Sequence, residues 1–294
     1  MLTSHRCFAV PELRARMETH AVIGTPLRVH VVRLAGVVSE DRLLCGSFPR
    51  RGHVGRPMVT FLLDGRARLS TPEGERWLSP GTLALIPEKA SVLMRQDGSD
   101  GFLCVNIEWD PGALGERPRA LDAGPLPPAA CDRLRALARE LATAQEPSQS
   151  VATLLALARS LGCPVRAAPV DELSEAVDDQ TRRLSRVLDA LLSDLGGQPM
   201  MVDIHRALGV SDRTANRLVD QFNHRYGFNA ASWQDTRTRR RIFTGACMMT
   251  APGARTETVA LAVGYASPAA FCRALSRVGL PSPGNIAAAA DRAA

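Results

Sequence analysis

Residues 256–277, TETVALAVGYASPAAFCRALSR, decide the fold of the C-terminal third of the chain. Val259, Ala260 and Val263 give one apolar helical face, and Gly264 breaks that helix. Ser267 then stands where it can cap a second helix, whose inner face is Ala270, Phe271, Ala274 and Leu275. Two short helices around a glycine turn are the minimum of a helix-turn-helix.

The stretch MMVDIHRALGVSDRTANRLVDQF, 200–222, repeats the pattern. Ile204, Ala207 and Leu208 form the inner stripe of its first helix and Gly209 ends it. Ser211 opens a helix expected to bury Ala215, Leu218, Val219 and Phe222. Its outer stripe is Asp212, Arg213, Asn216, Arg217 and Asp220. Arg and Asn are the side chains that reach guanine and adenine edges bidentately in a major groove, although any soluble helix also shows a charged outer face.

Between the two units lies FNAASWQDTRTRRRIFTGACMMT, 228–250, with apolar residues at helical spacing. One helix over 230–249 would be roughly 30 Å long at about 1.5 Å per residue. A turn of B-DNA is about 34 Å, so such a strut would set two recognition helices into successive grooves. Arg237, Arg239, Arg240 and Arg241 crowd it. They read either as a solvated basic face or as phosphate contacts, with Arg240 the expected contact.

On these residues the segment 184–286 resembles the DNA-binding domain of the AraC/XylS family of bacterial transcription regulators. The family's pattern of Ser, Arg-Thr and Asn-Arg-Leu is matched by Ser211, Arg213, Thr214, Asn216, Arg217 and Leu218. Its second signature is matched by Val259, Ala260, Gly264, Tyr265, Phe271, Arg273, Ser282 and Pro283. The resemblance implies DNA contacts from Ser211, Asp212, Arg213, Asn216, Arg217, Arg240, Ser267, Ala269 and Arg273. The chain departs from the pattern at His205, where the family has a small Ala, and at Ile286 and Ala287, which replace an aromatic and a basic residue.

Charge is distributed as phosphate binding requires. Residues 181–294 hold 15 basic and 8 acidic side chains, net +7, against 21 and 22 in the rest, net −1. Lys89 is the only lysine. The arginine bias suits bidentate contacts, and a GC-rich genome would produce it equally. Seven cysteines without a Cys-x-x-Cys pair fit reduced thiols better than disulfides or a zinc site. No apolar run approaches 18 residues and His5, Arg6, Glu12 and Arg14 interrupt any signal-like core, so a soluble, cytoplasmic protein is expected.

The N-terminal half alternates strand-like runs with turn signals, among them Asp64-Gly65, which reads as a hairpin turn, and Pro80-Gly81. Many short strands at this spacing suggest a barrel or jelly roll. Residues 27–109 look like the cupin-type sensor of the same family, chiefly through Leu-Leu-Asp-Gly and Leu-Ser-Pro-Gly-Thr-Leu-Ala-Leu-Ile-Pro. A catalytic cupin needs three or four convergent metal ligands. His30 and His53 are isolated in this window, and neither a catalytic nor a metal set is assigned. His30, Arg33, Cys104 and Asn106 are instead candidates to line a small-molecule pocket. Cys45 and Cys104 read as apolar fillers or as thiol sensors.

After the barrel, an amphipathic helix carries Leu134, Leu137, Ala138 and Leu141 on one face, and SVATLLALARSLG follows. The pair would either dimerise with a second chain, as the resemblance implies, or pack on its own barrel. The expected organisation is α+β: a cupin-like β-barrel with flanking helices in 1–162, a linker in 163–180, and an all-α domain of two helix-turn-helix units joined by a linker helix in 181–294. The function expected is a non-enzymatic, sequence-specific transcription regulator of a bacterium. Its partners would be double-stranded promoter DNA, a small-molecule effector, RNA polymerase and a second copy of the chain, with no cofactor and no membrane. The competing class is a cupin-type enzyme or scaffold without specific DNA binding.

Overall fold

A computed structural model describes the chain except for residues 25, 41–56, 72–73, 87–90, 96–100, 117–122, 175, 227–231 and 294. Among the described residues eleven strands open it: β1 (Leu2–Val10), β2 (Ala15–Ile23), β3 (Leu27–Ala35), β4 (Val38–Glu40), β5 (Met58–Asp64), β6 (Arg66–Thr71), β7 (Gly74–Leu78), β8 (Thr82–Ile86), β9 (Ser91–Arg95), β10 (Phe102–Trp109) and β11 (Ala123–Pro125). They form a seven-stranded sheet in the order β1-β2-β3-β10-β5-β8-β11 and a four-stranded sheet in the order β4-β9-β6-β7. The expected barrel is thus built as two sheets.

Asp64-Gly65 does not make the expected hairpin. Strand β5 pairs antiparallel with β10 and β8, whereas β6 pairs with β7 and β9. The turn therefore carries the chain from one sheet to the other. Gly65 takes φ 81°, a left-handed conformation that glycine adopts without steric cost. The hairpin of this region is β6–β7, in register from Ala67 opposite Leu78 to Thr71 opposite Gly74.

One face of the larger sheet carries the core. Val29 and Val31 of β3, Val59, Phe61 and Leu63 of β5, and Val105, Ile107 and Trp109 of β10 alternate onto it. Two helices, α2 (Pro128–Thr143) and α3 (Ser148–Ser160), complete the same cluster through Leu134, Leu137, Ala138 and Leu141, and through Val151, Leu154, Leu155 and Ala158. Arg135 fastens α2 to β5 by donating to the Leu63 carbonyl at 3.1 Å and to Asp64 at 3.0 Å. The helical stripe that would have served dimerisation is buried on its own sheet. Two short helices flank this core, α1 (Pro111–Leu114) and α4 (Val170–Leu173).

The described chain divides into two compact units. The first comprises Met1–His5, Thr19–Arg33 and Pro49–Arg182; the second comprises Arg6–Glu18, Leu34–Phe48 and Arg183–Ala294. The helices from α5 (Asp179–Ser193) onward are α6 (Met201–Leu208), α7 (Asp212–Tyr226), α8 (Trp233–Met248), α9 (Thr256–Ala262), α10 (Pro268–Arg277) and α11 (Pro283–Ala293). Strand segments belong to the second unit as well. Arg6 donates to Asp189 of α5 at 3.1 Å, and the Cys7 amide donates to Ser193 Oγ at 3.2 Å. The Val38 amide donates to Thr250 Oγ1, just past α8, at 2.7 Å. No feature of the sequence singled out Arg6 or Val38 for this.

Candidate nucleic-acid interface and sensor pocket

Both helix-turn-helix units form. In the first, α6 starts with the Met200 amide donating to the Asp203 carboxylate at 2.7 Å, and it buries Ile204 and Leu208 while Ala207 stays exposed. Ala207 is therefore not part of the inner stripe. The Ser211 hydroxyl accepts the Thr214 amide at 3.3 Å and caps α7. That helix buries Ala215, Val219, Phe222 and Tyr226 and leaves Leu218 half-buried. Ser211, Asp212, Arg213, Asn216 and Arg217 are all exposed along its outer side. Asn216 donates to the Asp212 carbonyl at 2.9 Å, which holds its amide along the helix.

In the second unit the Ser267 hydroxyl accepts the Ala270 amide at 3.2 Å and caps α10. Phe271, Ala274 and Leu275 are buried beneath it, and Ala269 and Arg273 are exposed. Gly264 makes the turn at φ 81°. A Cβ there would meet the Leu195 carbonyl oxygen at 2.3 Å, so both the backbone conformation and the space require glycine.

The strut between the units is shorter than the sequence suggests. Helix α8 has 16 residues, about 24 Å at 1.5 Å per residue. Two of its arginines, Arg237 and Arg241, are buried and bond to the two units rather than forming a solvated basic face. Arg237 donates to the Pro199 carbonyl at 2.8 Å and to Gln234 at 2.7 Å. Trp233 Nε1 reaches the same Pro199 carbonyl at 3.3 Å, so the first turn of α8 grips the entry to the first unit. One turn on, Arg241 donates from Nε to the Val263 carbonyl at 2.5 Å and from Nη2 to the Gly264 carbonyl. Its guanidinium lies 4.2 Å from the Tyr265 ring centroid. Burial pulls the Arg241 pKa down and pushes the Tyr265 hydroxyl up, each partly offset by the other. Next to this clamp, Gly245 lets the Phe271 ring approach: a Cβ there would stand 2.6 Å from the ring.

Arg240 corrects the sequence reading most sharply. It is 8% exposed and faces the interior of the second unit, so it is not presented to phosphate. Burial, and secondarily the neighbouring Arg6, push its pKa down to about 10, while Asp189 acts in the opposite direction. Of the four strut arginines only Arg239 remains at the surface, paired with Asp235 at 2.7 Å. The sequence candidates that the structure leaves exposed, Ser211, Asp212, Arg213, Asn216, Arg217, Ala269 and Arg273, lie on the outer sides of α7 and α10.

The pocket candidates are split. Cys104 and Asn106 lie opposite Leu62 and Thr60 on the face of β10 that turns away from the helical core. His30 joins that face, with Nε2 3.8 Å from the Glu108 carboxylate. His30, Thr60, Cys104 and Asn106 are all buried, and Asn106 Oδ1 accepts no hydrogen bond. A buried carbonyl without a donor costs about 1–3 kcal/mol, which an incoming donor would recover. Arg33 is three residues from His30, so strand alternation puts it on the opposite face and removes it from the set. Cys45 and His53 lie outside the described residues. Thr60 and Glu108 were missed; their even spacing with Asn106 across paired strands was the signal, and it needed the register. No disulfide joins the described cysteines. No helix among the described residues is long and apolar enough to cross a membrane.

No protein-family model and no curated protein matches the chain. Solved structures do show a likeness. Apo ToxT from Vibrio cholerae is similar over 90% of this chain and 97% of its own, at 12% identity and a TM-score of 0.35. ToxT bound to an unsaturated fatty acid is similar over 90% and 95%, at 10% identity and a TM-score of 0.35. The AraC-like transcriptional activator CuxR is similar over 72% and 77%, at 14% identity and a TM-score of 0.34. At such scores the likeness is too remote to carry a functional argument, which rests on the residues themselves.

Proposed function

We propose that the chain is a sequence-specific DNA-binding regulator whose strand domain takes up a small molecule. One observation carries the reading: two Ser-capped helices, α7 and α10, present Arg213, Asn216, Arg217 and Arg273 outward while Arg237 and Arg241 clamp both units to a single helix. A solvated surface helix needs no such shared scaffold. The net charge of +7 in 181–294 supplies the electrostatic part of binding. Effector control would be linkage: a molecule that fits one arrangement of the protein better shifts the population competent for DNA.

The test is selection of genomic fragments by the full chain at moderate salt. The expected product is a motif of two boxes about 10–10.5 base pairs apart, with binding that falls steeply as salt rises, by a log–log slope of about −0.9 for each phosphate neutralised. Fragments without a shared motif, or binding insensitive to salt, would remove the reading.

A further inference from the structure

Three ligand-type side chains on the hairpin of β1 and β2 serve neither the nucleic-acid interface nor the pocket. His5 of β1 and His20 of β2 stack with ring centroids 4.0 Å apart and planes 5° from parallel. Glu18 precedes His20 by two residues, so strand alternation places it on the same face. One donor atom from each of the three lies within 4.8 Å of the other two.

We propose that His5, Glu18 and His20 form a binding site for a divalent transition-metal ion, zinc in the first instance. Two imidazoles and one carboxylate suit zinc, nickel or copper, whereas magnesium and calcium want oxygen donors throughout. A tetrahedral zinc with bonds of about 2.0–2.1 Å sets its donors about 3.4 Å apart. The cluster therefore closes by roughly an ångström on binding, a movement that exposed His5 and half-buried Glu18 and His20 can make by small χ rotations. Arg16 donates to Glu18 Oε2 at 3.0 Å and is the cation a metal would compete with. A water takes the fourth position. A metal here ties β1 to β2 across the strand pair. The site stands independently of the regulator reading, since it uses no residue of α7, α10 or the pocket.

The experiment titrates chelator-stripped full-length protein with zinc against a chromophoric competitor, and follows thermal unfolding with and without zinc. Wild type is expected to bind one equivalent and to unfold at a higher temperature with zinc. His5→Ala and His20→Ala should each weaken binding at least about tenfold and abolish that shift, and Glu18→Gln should weaken it too. Arg16→Ala should bind at least as tightly, because a competing cation is removed. His224→Ala, at an exposed histidine of α7, should behave as wild type. Metal-free unfolding temperatures equal to wild type show that the variants fold; a variant failing this check is replaced by His5→Gln or His20→Gln. Folded His5 and His20 variants that bind zinc as tightly as wild type, or a wild type that takes up none, would overturn the proposal.

Discussion

Replacing Arg241 with methionine tests whether the second helix-turn-helix is held by the strut. The substitution keeps most of the buried stem and deletes the guanidinium. The Val263 and Gly264 carbonyls then lose their charged donor in a site where Arg241 is 9% exposed. Each orphaned carbonyl costs about 1–3 kcal/mol, and loss of the contact with Tyr265 about 0.5–2 kcal/mol. Removing a buried charge gives some of that back. A net loss of about 2–4 kcal/mol is expected, with Arg241→Lys intermediate because an ammonium cannot fork to two carbonyls. Urea unfolding of the full chain, followed by helical circular dichroism, measures it. A loss under about 0.5 kcal/mol for Arg241→Met would refute the clamp, since surface substitutions fall in that range.

Gly264→Ala should be at least as damaging, by more than about 2 kcal/mol, because it adds a left-handed alanine to a backbone clash with Leu195; near-normal unfolding would show that the turn relaxes freely. Leu137→Ala should cost about 2–5 kcal/mol and leave the sedimentation behaviour unchanged, because that face is internal to its own sheet; a change in oligomeric state would reassign α2 to an interface. The Cys163 thiol, pushed up to about 12 by burial, should resist alkylation in the native protein at pH 8.5 and react on unfolding. Its raised folded value also means that stability present below pH 9 falls as pH rises from about 9 towards 12, by up to about 1.4 kcal/mol per pH unit; a flat profile for wild type relative to Cys163→Ala would remove that contribution.

The helical part was legible because its signals are local. Ser211 and Ser267 cap the helices they precede, and apolar spacing found the buried faces of α7 and α10 within a residue or two. The strut arginines misled because a sequence shows charge and not partners: Arg237 and Arg241 spend theirs on carbonyls of Pro199, Val263 and Gly264, distant in the chain. Asp64-Gly65 makes the turn its residues imply but not a hairpin, since turn chemistry fixes φ and not which strands pair. His30, Cys104 and Asn106 share a face only through pairing across long separations, and the same parity excludes Arg33. His5, Glu18 and His20 lie outside the cupin-like window 27–109, at no ligand spacing in the sequence, and they meet only because β1 lies against β2.

If α7 reads bases while α8 only holds the two helix-turn-helix units together, substitutions on the two helices must differ in their effect on sequence preference. The decisive measurement compares full-length wild type, Arg213→Ala, Asn216→Ala and Arg240→Met, the last checked for folding, on every single-base variant of a selected site at fixed salt. Arg213→Ala and Asn216→Ala should each lose about 1–3 kcal/mol on the selected site and become indifferent to one base pair. Folded Arg240→Met should keep the wild-type preference at every position, because its buried side chain contacts no phosphate. Equal losses on the selected site and on scrambled DNA for both α7 variants would contradict the claim.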